Sequence, residues 1–226
     1  MWKSVAAGIL TADFVTAVVH WGEDTYLPYD QTDSMLGQIA RDNEMHHFVP
    51  YAITVETWWS NVKISLQLLA AVALALTIGA PKWAFKNRVF LMTAAAAMAI
   101  TNLLHRFQHE RDCTRPALAT WLQRLGILCS REQHAVHHRD SVSNYSVLLG
   151  FTNPIYDGLG VWRFLERVLG LAGLQPTRKK GVDAYADLRD DWLRDNMARD
   201  CPEPLDRDRL EKYYRRLKRA HVEGYV

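Results

Sequence analysis

Cysteine is scarce in this chain. The 226 residues contain three, Cys113, Cys129 and Cys201, and they lie far apart. That spacing makes neither a disulfide framework nor a zinc ribbon, and it suits a reducing compartment or a membrane enzyme indifferent to redox. An excess of charge is also missing. Lys and Arg total 27 against 25 Asp and Glu, a formal charge of +2, which gives no whole-chain case for nucleic acid and predicts no nucleic-acid partner. There is no GxGxxG to cradle a dinucleotide and no CxxCH to attach a haem. Internal repeats and low-complexity tracts are absent.

What is present is apolar sequence in long runs. They extend from about Val5 to Val19, interrupted by Asp13, from Val62 to Ala80, and from Val89 to Leu104. A helix needs roughly 20 apolar residues to cross about 30 Å of hydrocarbon. The second run meets this; the first and third need their polar flanks. Trp58, Trp59 and Trp83 stand where an aromatic belt belongs around the second run. The alternative is three buried helices of a soluble all-α domain. Lys3 and the short first run suggest a signal peptide, but Asp13 and the lack of a small-residue cleavage site argue against one. The expected fold is all-α: an integral-membrane helical bundle of about three spans, with a one-sided histidine-rich cap and a charged helical tail. Residues 1–175 are expected to form the membrane-embedded domain and 176–226 the polar tail, solvated, with helical patterns near 184–198 and 205–220. An amphipathic stretch at 161–170 is suited to a membrane surface.

Histidine carries the chemistry. Eight of the nine fall into four groups: His20; His46 and His47; His105 and His109; His134, His137 and His138. The spacings i,i+4 and i,i+3,i+4 put imidazoles one turn apart on one helix face. With three crossings, the exit of the first run, the 23–61 loop, the end of the third run and the segment after it all lie on one side of a membrane, so all eight histidines meet at one face. Asp24, at i+4 from His20, Glu44 just before His46, and Asn102 just before His105 are candidate orienting partners; the two carboxylates are alternatively extra ligands. Eight imidazoles exceed one zinc site. Imidazole suits zinc, copper, iron or nickel, and a set this large argues for two ions. A pair of irons beside a membrane suits O2 activation and attack on an unactivated methylene, which side chains cannot perform unaided. A transporter would place its ligands near mid-membrane, unlike these.

Four motifs carry a resemblance: ADFVTAVVHWGEDT at 12–25, HHFVPYAIT at 46–54, NLLHRFQH at 102–109, and SREQHAVHHR at 130–139 followed by Asn144 and Tyr145. They resemble the lipid desaturase family that includes the Kua-type plasmanylethanolamine desaturases and the plant plastid palmitate trans-3 desaturases, over roughly residues 10–170. The Kua-type pattern has a further histidine shortly after AIT, where this chain has Val55, Glu56, Thr57 and Trp58. The plastid branch also lacks it, and its last box is close to residues 130–138. The resemblance implies a di-iron, O2-dependent desaturase acting on a lipid acyl or alkyl chain. Its ligands would be His20, His46, His47, His105, His109, His134, His137 and His138. Its electrons would come from an external donor, cytochrome b5-like or ferredoxin-like, in an endoplasmic reticulum or plastid membrane. The same residues are compatible with a di-iron lipid hydroxylase or a non-catalytic membrane metal-binding protein. Asn144, Tyr145 and Ser146 match a glycosylation sequon that is incidental so close to the histidines. Trp21 is expected at the interface, and Arg139 on a solvated surface or at a phosphate headgroup.

Overall fold

The computed structural model describes residues 1–29, 34–199 and 203–225. Three helices are long and apolar enough to cross a membrane: α1 (Trp2–Tyr26), α3 (Trp58–Gly79) and α5 (Arg88–His109). Each outruns its apolar stretch in the sequence. In particular, α1 continues through His20 and Asp24, and α5 through His105 and His109. α5 is the centre of the bundle, packed against both α1 and α3. α3 leaves Leu66, Leu68, Val72, Leu74 and Ile78 exposed; an apolar surface this extensive calls for lipid rather than water around it. Trp58 and Trp59 start α3 and Trp83 follows its end, all three exposed. Thr57 caps α3, accepting a bond from the Ser60 N–H at 3.1 Å, while Pro81 opens α4 (Pro81–Lys86) in the turn back.

The remaining elements are short. α2 (Met35–Phe48) is capped by Ser34 and ends on a 3-10 turn over Pro50–Thr54. α6 (Ala117–Arg124) leads to α7 (Arg131–Asp140). α7 has a complete capping box: Ser130 Oγ accepts from the Gln133 N–H at 3.3 Å, and Gln133 Oε1 accepts from the Ser130 N–H at 3.1 Å. α8 (Asn153–Gly158) and α9 (Val161–Leu171) follow. α9 buries Trp162 and exposes Phe164, Val168 and Leu171. Trp21 is buried against Trp162, stacked at 6.3 Å between ring centroids. No β-strand occurs among the described residues, only a lone bridge between Leu128 and Leu149.

The charged end contains a 3-10 stretch at Val182–Leu188, α10 (Asp191–Met197) and α11 (Arg207–Glu223). It is not solvated on all sides. Tyr185, Leu193, Tyr213 and Leu217 form one core with Met45, Phe48 and Val49 of α2 and its end. The polar periodicity of α11 hid a narrow apolar stripe, Tyr213–Leu217–Ala220, which is what α2 buries. Before that, residues 177–179 strap across the end of α1: the N–H groups of Thr177 and Arg178 donate to the Thr25 carbonyl and that of Lys179 to the Asp24 carbonyl. Gly181 then lies so close to α7 that a Cβ there would run into the Arg139 carbonyl. Against the expectation of unpaired cysteines, Cys113 is disulfide-bonded, whereas Cys129 is free and buried; Cys201 lies outside the described residues.

Candidate metal centre

Four helices bring the eight histidines together, and they separate into two groups. His46, His105, His109, His134 and His138 form one; His20, Asp24, His47 and His137 form the other. Within each, the donor atoms lie within 4.8 Å of one another, and every member is buried. The division follows from helix geometry. Neighbouring residues on a helix point about 100° apart, so His46 and His47 on α2, and His137 and His138 on α7, each send one ring to either group. α5 serves the five-histidine group alone, and α1 the other alone. The rings of His46 and His47 are 6.0 Å apart and those of His137 and His138 5.6 Å apart, so the two groups are adjacent.

The five-histidine group converges on Nε2 atoms. His46 and His105 approach to 3.0 Å, His105 and His134 to 2.8 Å, and His138 lies 3.0 Å from both His46 and His134. Burial, and then the like neighbours, hold His46, His134 and His138 well below the usual imidazole range, so they are neutral at pH 7. The buried Nδ1 atoms of His46, His134 and His138 and the Nε2 of His109 have no hydrogen-bond partner. In this ring of contacts only alternate imidazoles can donate an Nε2–H, so the others turn Nε2 lone pairs inward, as a cation requires.

The second group is centred on Asp24. His47 Nε2 and His137 Nε2 lie 3.1 Å from its carboxylate and His20 Nε2 3.5 Å. Asn43 donates to Asp24 Oδ1 at 2.8 Å. Burial alone would lower His137, but its bond to Asp24 and that charge carry it above the ordinary value. All three rings are held from behind by one short segment. His47 Nδ1 is 3.2 Å from Ser141 Oγ, His137 Nδ1 2.9 Å from the Ser143 carbonyl, and His20 Nδ1 2.9 Å from the Tyr145 carbonyl. A ring that donates Nδ1–H to a carbonyl presents its Nε2 lone pair to the interior. Apart from their approach to one another, His20 Nε2, His137 Nε2 and Asp24 Oδ2 have no hydrogen-bond partner among the described residues, although all three are buried. Both donor sets therefore fit a cation, and the one free cysteine among the described residues, Cys129, is no thiolate: burial pushes its thiol up to about 12.

The three candidate orienting residues fare differently. Asp24 stands inside the second group. Glu44 is buried but points away, toward Lys179 at 3.2 Å, the Tyr185 hydroxyl and His221 at 3.8 Å. Asn102 is exposed and joins neither group; the α5 stripe that reaches the centre is Thr101, His105 and His109 at i,i+4 spacing, all buried. Arg139 is exposed, and Asn144 adopts a left-handed φ of 56° beside the second group. The orienting segment 141–145 escaped sequence reasoning because two of its three contacts are made by backbone carbonyls, which every residue carries.

An all-helical chain with membrane-length helices and two adjoining histidine-rich groups able to hold metal ions defines a class of membrane protein. Residues 9–179 match the model of the lipid desaturase domain, and the chain belongs to that family. It is 30% identical over 175 residues to the chloroplastic fatty acid desaturase 4-like 2 of Arabidopsis thaliana, covering 75% of this chain and 60% of that protein. It is 32% identical to a plasmanylethanolamine desaturase of Myxococcus xanthus, over 81% of this chain and 66% of that one. It is 30% identical to plasmanylethanolamine desaturase 1 of Mus musculus, over 76% and 66%. The chain thus spans less than two thirds of the length of these relatives. No solved structure matches it.

Proposed function

We propose that this protein is a membrane di-iron desaturase that uses O2 to introduce a double bond into a lipid acyl or alkyl chain. One observation carries the reading: nine buried donors, from four helices, converge as two adjoining groups in a member of the lipid desaturase family. His46, His105, His109, His134 and His138 would hold one iron, and His20, Asp24, His47 and His137 the other. Iron bound there supplies the O2-derived oxidant needed for an unactivated C–H bond. The chain's own residues do the rest. His46, His134 and His138, buried and neutral, keep their lone pairs available, Asp24 offsets cationic charge, and the 141–145 segment orients the rings of the second group. Burial of the whole cluster keeps bulk water away.

The overall balance is a CH2–CH2 unit, O2, two electrons and two protons giving CH=CH and two waters. The electrons come from an external protein of the cytochrome b5 or ferredoxin kind. Residues 1–175 form the membrane-embedded catalytic unit, inserted by several spans into the endoplasmic reticulum or a plastid membrane, and residues 176–226 form an appended polar tail. The test is expression in a host lacking the activity, with iron analysis of the purified protein and lipid profiling. New unsaturated lipids with about two irons per chain are expected. An unchanged lipidome from iron-loaded protein supplied with a donor would sink the reading. Products carrying oxygen from labelled O2 would replace it with hydroxylation.

A further inference from the structure

Asp13 belongs to neither histidine group, yet it is a fully buried carboxylate within the first span. An ionisable side chain at such depth is costly unless its oxygens are bonded. Here they are bonded, and every bond reaches the same stretch of chain. Ser146 Oγ donates to Asp13 Oδ1 at 2.5 Å and the Leu149 N–H at 2.9 Å; the Tyr156 hydroxyl donates to Oδ2 at 2.9 Å. Ser146 directly follows the residues that hold the second group from behind: Ser141 on His47, Ser143 on His137 and Tyr145 on His20.

We propose that Asp13 is a positioning residue for the Asp24-centred group, acting through residues 141–146. The proposal rests on the reading that this group holds a metal ion. Asp13 and His20 are seven residues apart on α1, about two turns, and so share a face. The helix therefore closes a circuit with itself. Asp13 latches Ser146 and Leu149, and the adjoining Tyr145 carbonyl returns to His20 on the same helix. With the latch in place, the carbonyls at 143 and 145 are fixed and three Nε2 atoms stay aimed at one point beside Asp24. In the five-histidine group, the Nδ1 atoms of His46, His134 and His138 are unpartnered among the described residues; the link to α5 is indirect, through Gln108, which donates to the Val147 carbonyl at 2.6 Å. Loss of Asp13 therefore acts first on the Asp24-centred position, whose three rings the segment bonds directly. The segment keeps other anchors, since Tyr145 donates to the Ser141 carbonyl at 2.9 Å and Asn153 bonds both the N–H and the carbonyl of Ser146 at 2.8 Å. The latch tunes a structure that those bonds preserve.

The experiment titrates metal-free, detergent-purified full-length protein with cobalt(II), followed by the visible ligand-field bands. Wild type is expected to take two equivalents. Asp13→Leu is expected to keep one and bind the other roughly 10–100-fold more weakly, the usual effect of removing a ligand's orienting partner. Asp13→Asn, which retains an acceptor oxygen for Ser146 and Leu149, is expected to restore most of the affinity and the wild-type bands. Two equivalents of unchanged affinity in Asp13→Leu, or equal weakening of both, overturns the proposal and leaves Asp13 a packing contact. If Asp13→Leu does not fold, the Ser146→Ala/Tyr156→Phe pair decides: selective weakening of one equivalent supports the latch, and unchanged or uniform binding overturns it. Wild type binding no cobalt removes the metal reading itself, a result separate from any variant.

Discussion

The two donor groups differ in how they are built, although they share α2 and α7. The five-histidine group has imidazoles in surplus, no carboxylate, and three rings whose outer nitrogens are unpartnered. The Asp24 group has only three imidazoles, but each is braced from behind and all face a carboxylate. One group relies on number and burial, the other on charge and fixed orientation. The difference teaches that a count of histidines does not measure a metal position. A braced triad with an anion can match a larger, unbraced set, because orientation and charge replace ligand number.

The largest effect expected from breaking this contrast comes from ligand removal. His137→Ala takes one of four donors from the braced group. It should reduce activity below detection and remove one of two metal equivalents, with membrane insertion intact. His109→Ala leaves four imidazoles in its group and should retain more metal than His137→Ala. Metal analysis and lipid profiling of both variants check this, and the reverse order would dissolve the contrast.

A smaller effect should strike both groups alike. Leu217 of α11 is buried against the α2 core, and α2 sends His46 to one group and His47 to the other. Leu217→Ala should cost roughly 2–5 kcal/mol of stability. It should weaken both metal equivalents together, unlike the α1 variants. Denaturant unfolding and metal titration of one preparation read both consequences.

The smallest effect is one of pH and belongs to the tail alone. Burial opposes the charge of Asp190, but the Leu193 N–H, the Tyr213 hydroxyl, Lys212 and Arg216 outweigh it and hold the carboxyl below its usual range. A depressed carboxyl stabilises the fold above its unfolded value, and that contribution is lost as pH falls through the folded one. Acidification from about pH 4 downward should therefore loosen α10 and α11. Asp190→Asn should flatten this transition, as followed by Trp192 fluorescence.

Much of this arrangement was legible in the residues. The HxxxH of α5 and the HxxHH of α7 fixed which side chains share a helix face, and the three apolar runs marked the long helices. Asp24 was legible as a neighbour of His20 by spacing, though not as the centre of a group. Glu44 had the same credentials beside His46 and turned instead to Lys179 and Tyr185. Asn102 stands one residue beyond Thr101 and so about 100° round α5 from the buried stripe. The tail read as solvated because seven basic residues in α11 obscure a stripe of only Tyr213, Leu217 and Ala220.

The sequence alone determined the local matters: helix by helix, which residues lie together and which elements are long enough to meet a bilayer. Those follow from a fixed rise and a fixed turn per residue. Only the tertiary structure decided that His46 and His47 part company, that Asp24 faces three imidazoles, and that Ser143 and Tyr145 lend them carbonyls. These depend on the angles at which α1, α2, α5 and α7 cross, and packing between helices sets those angles.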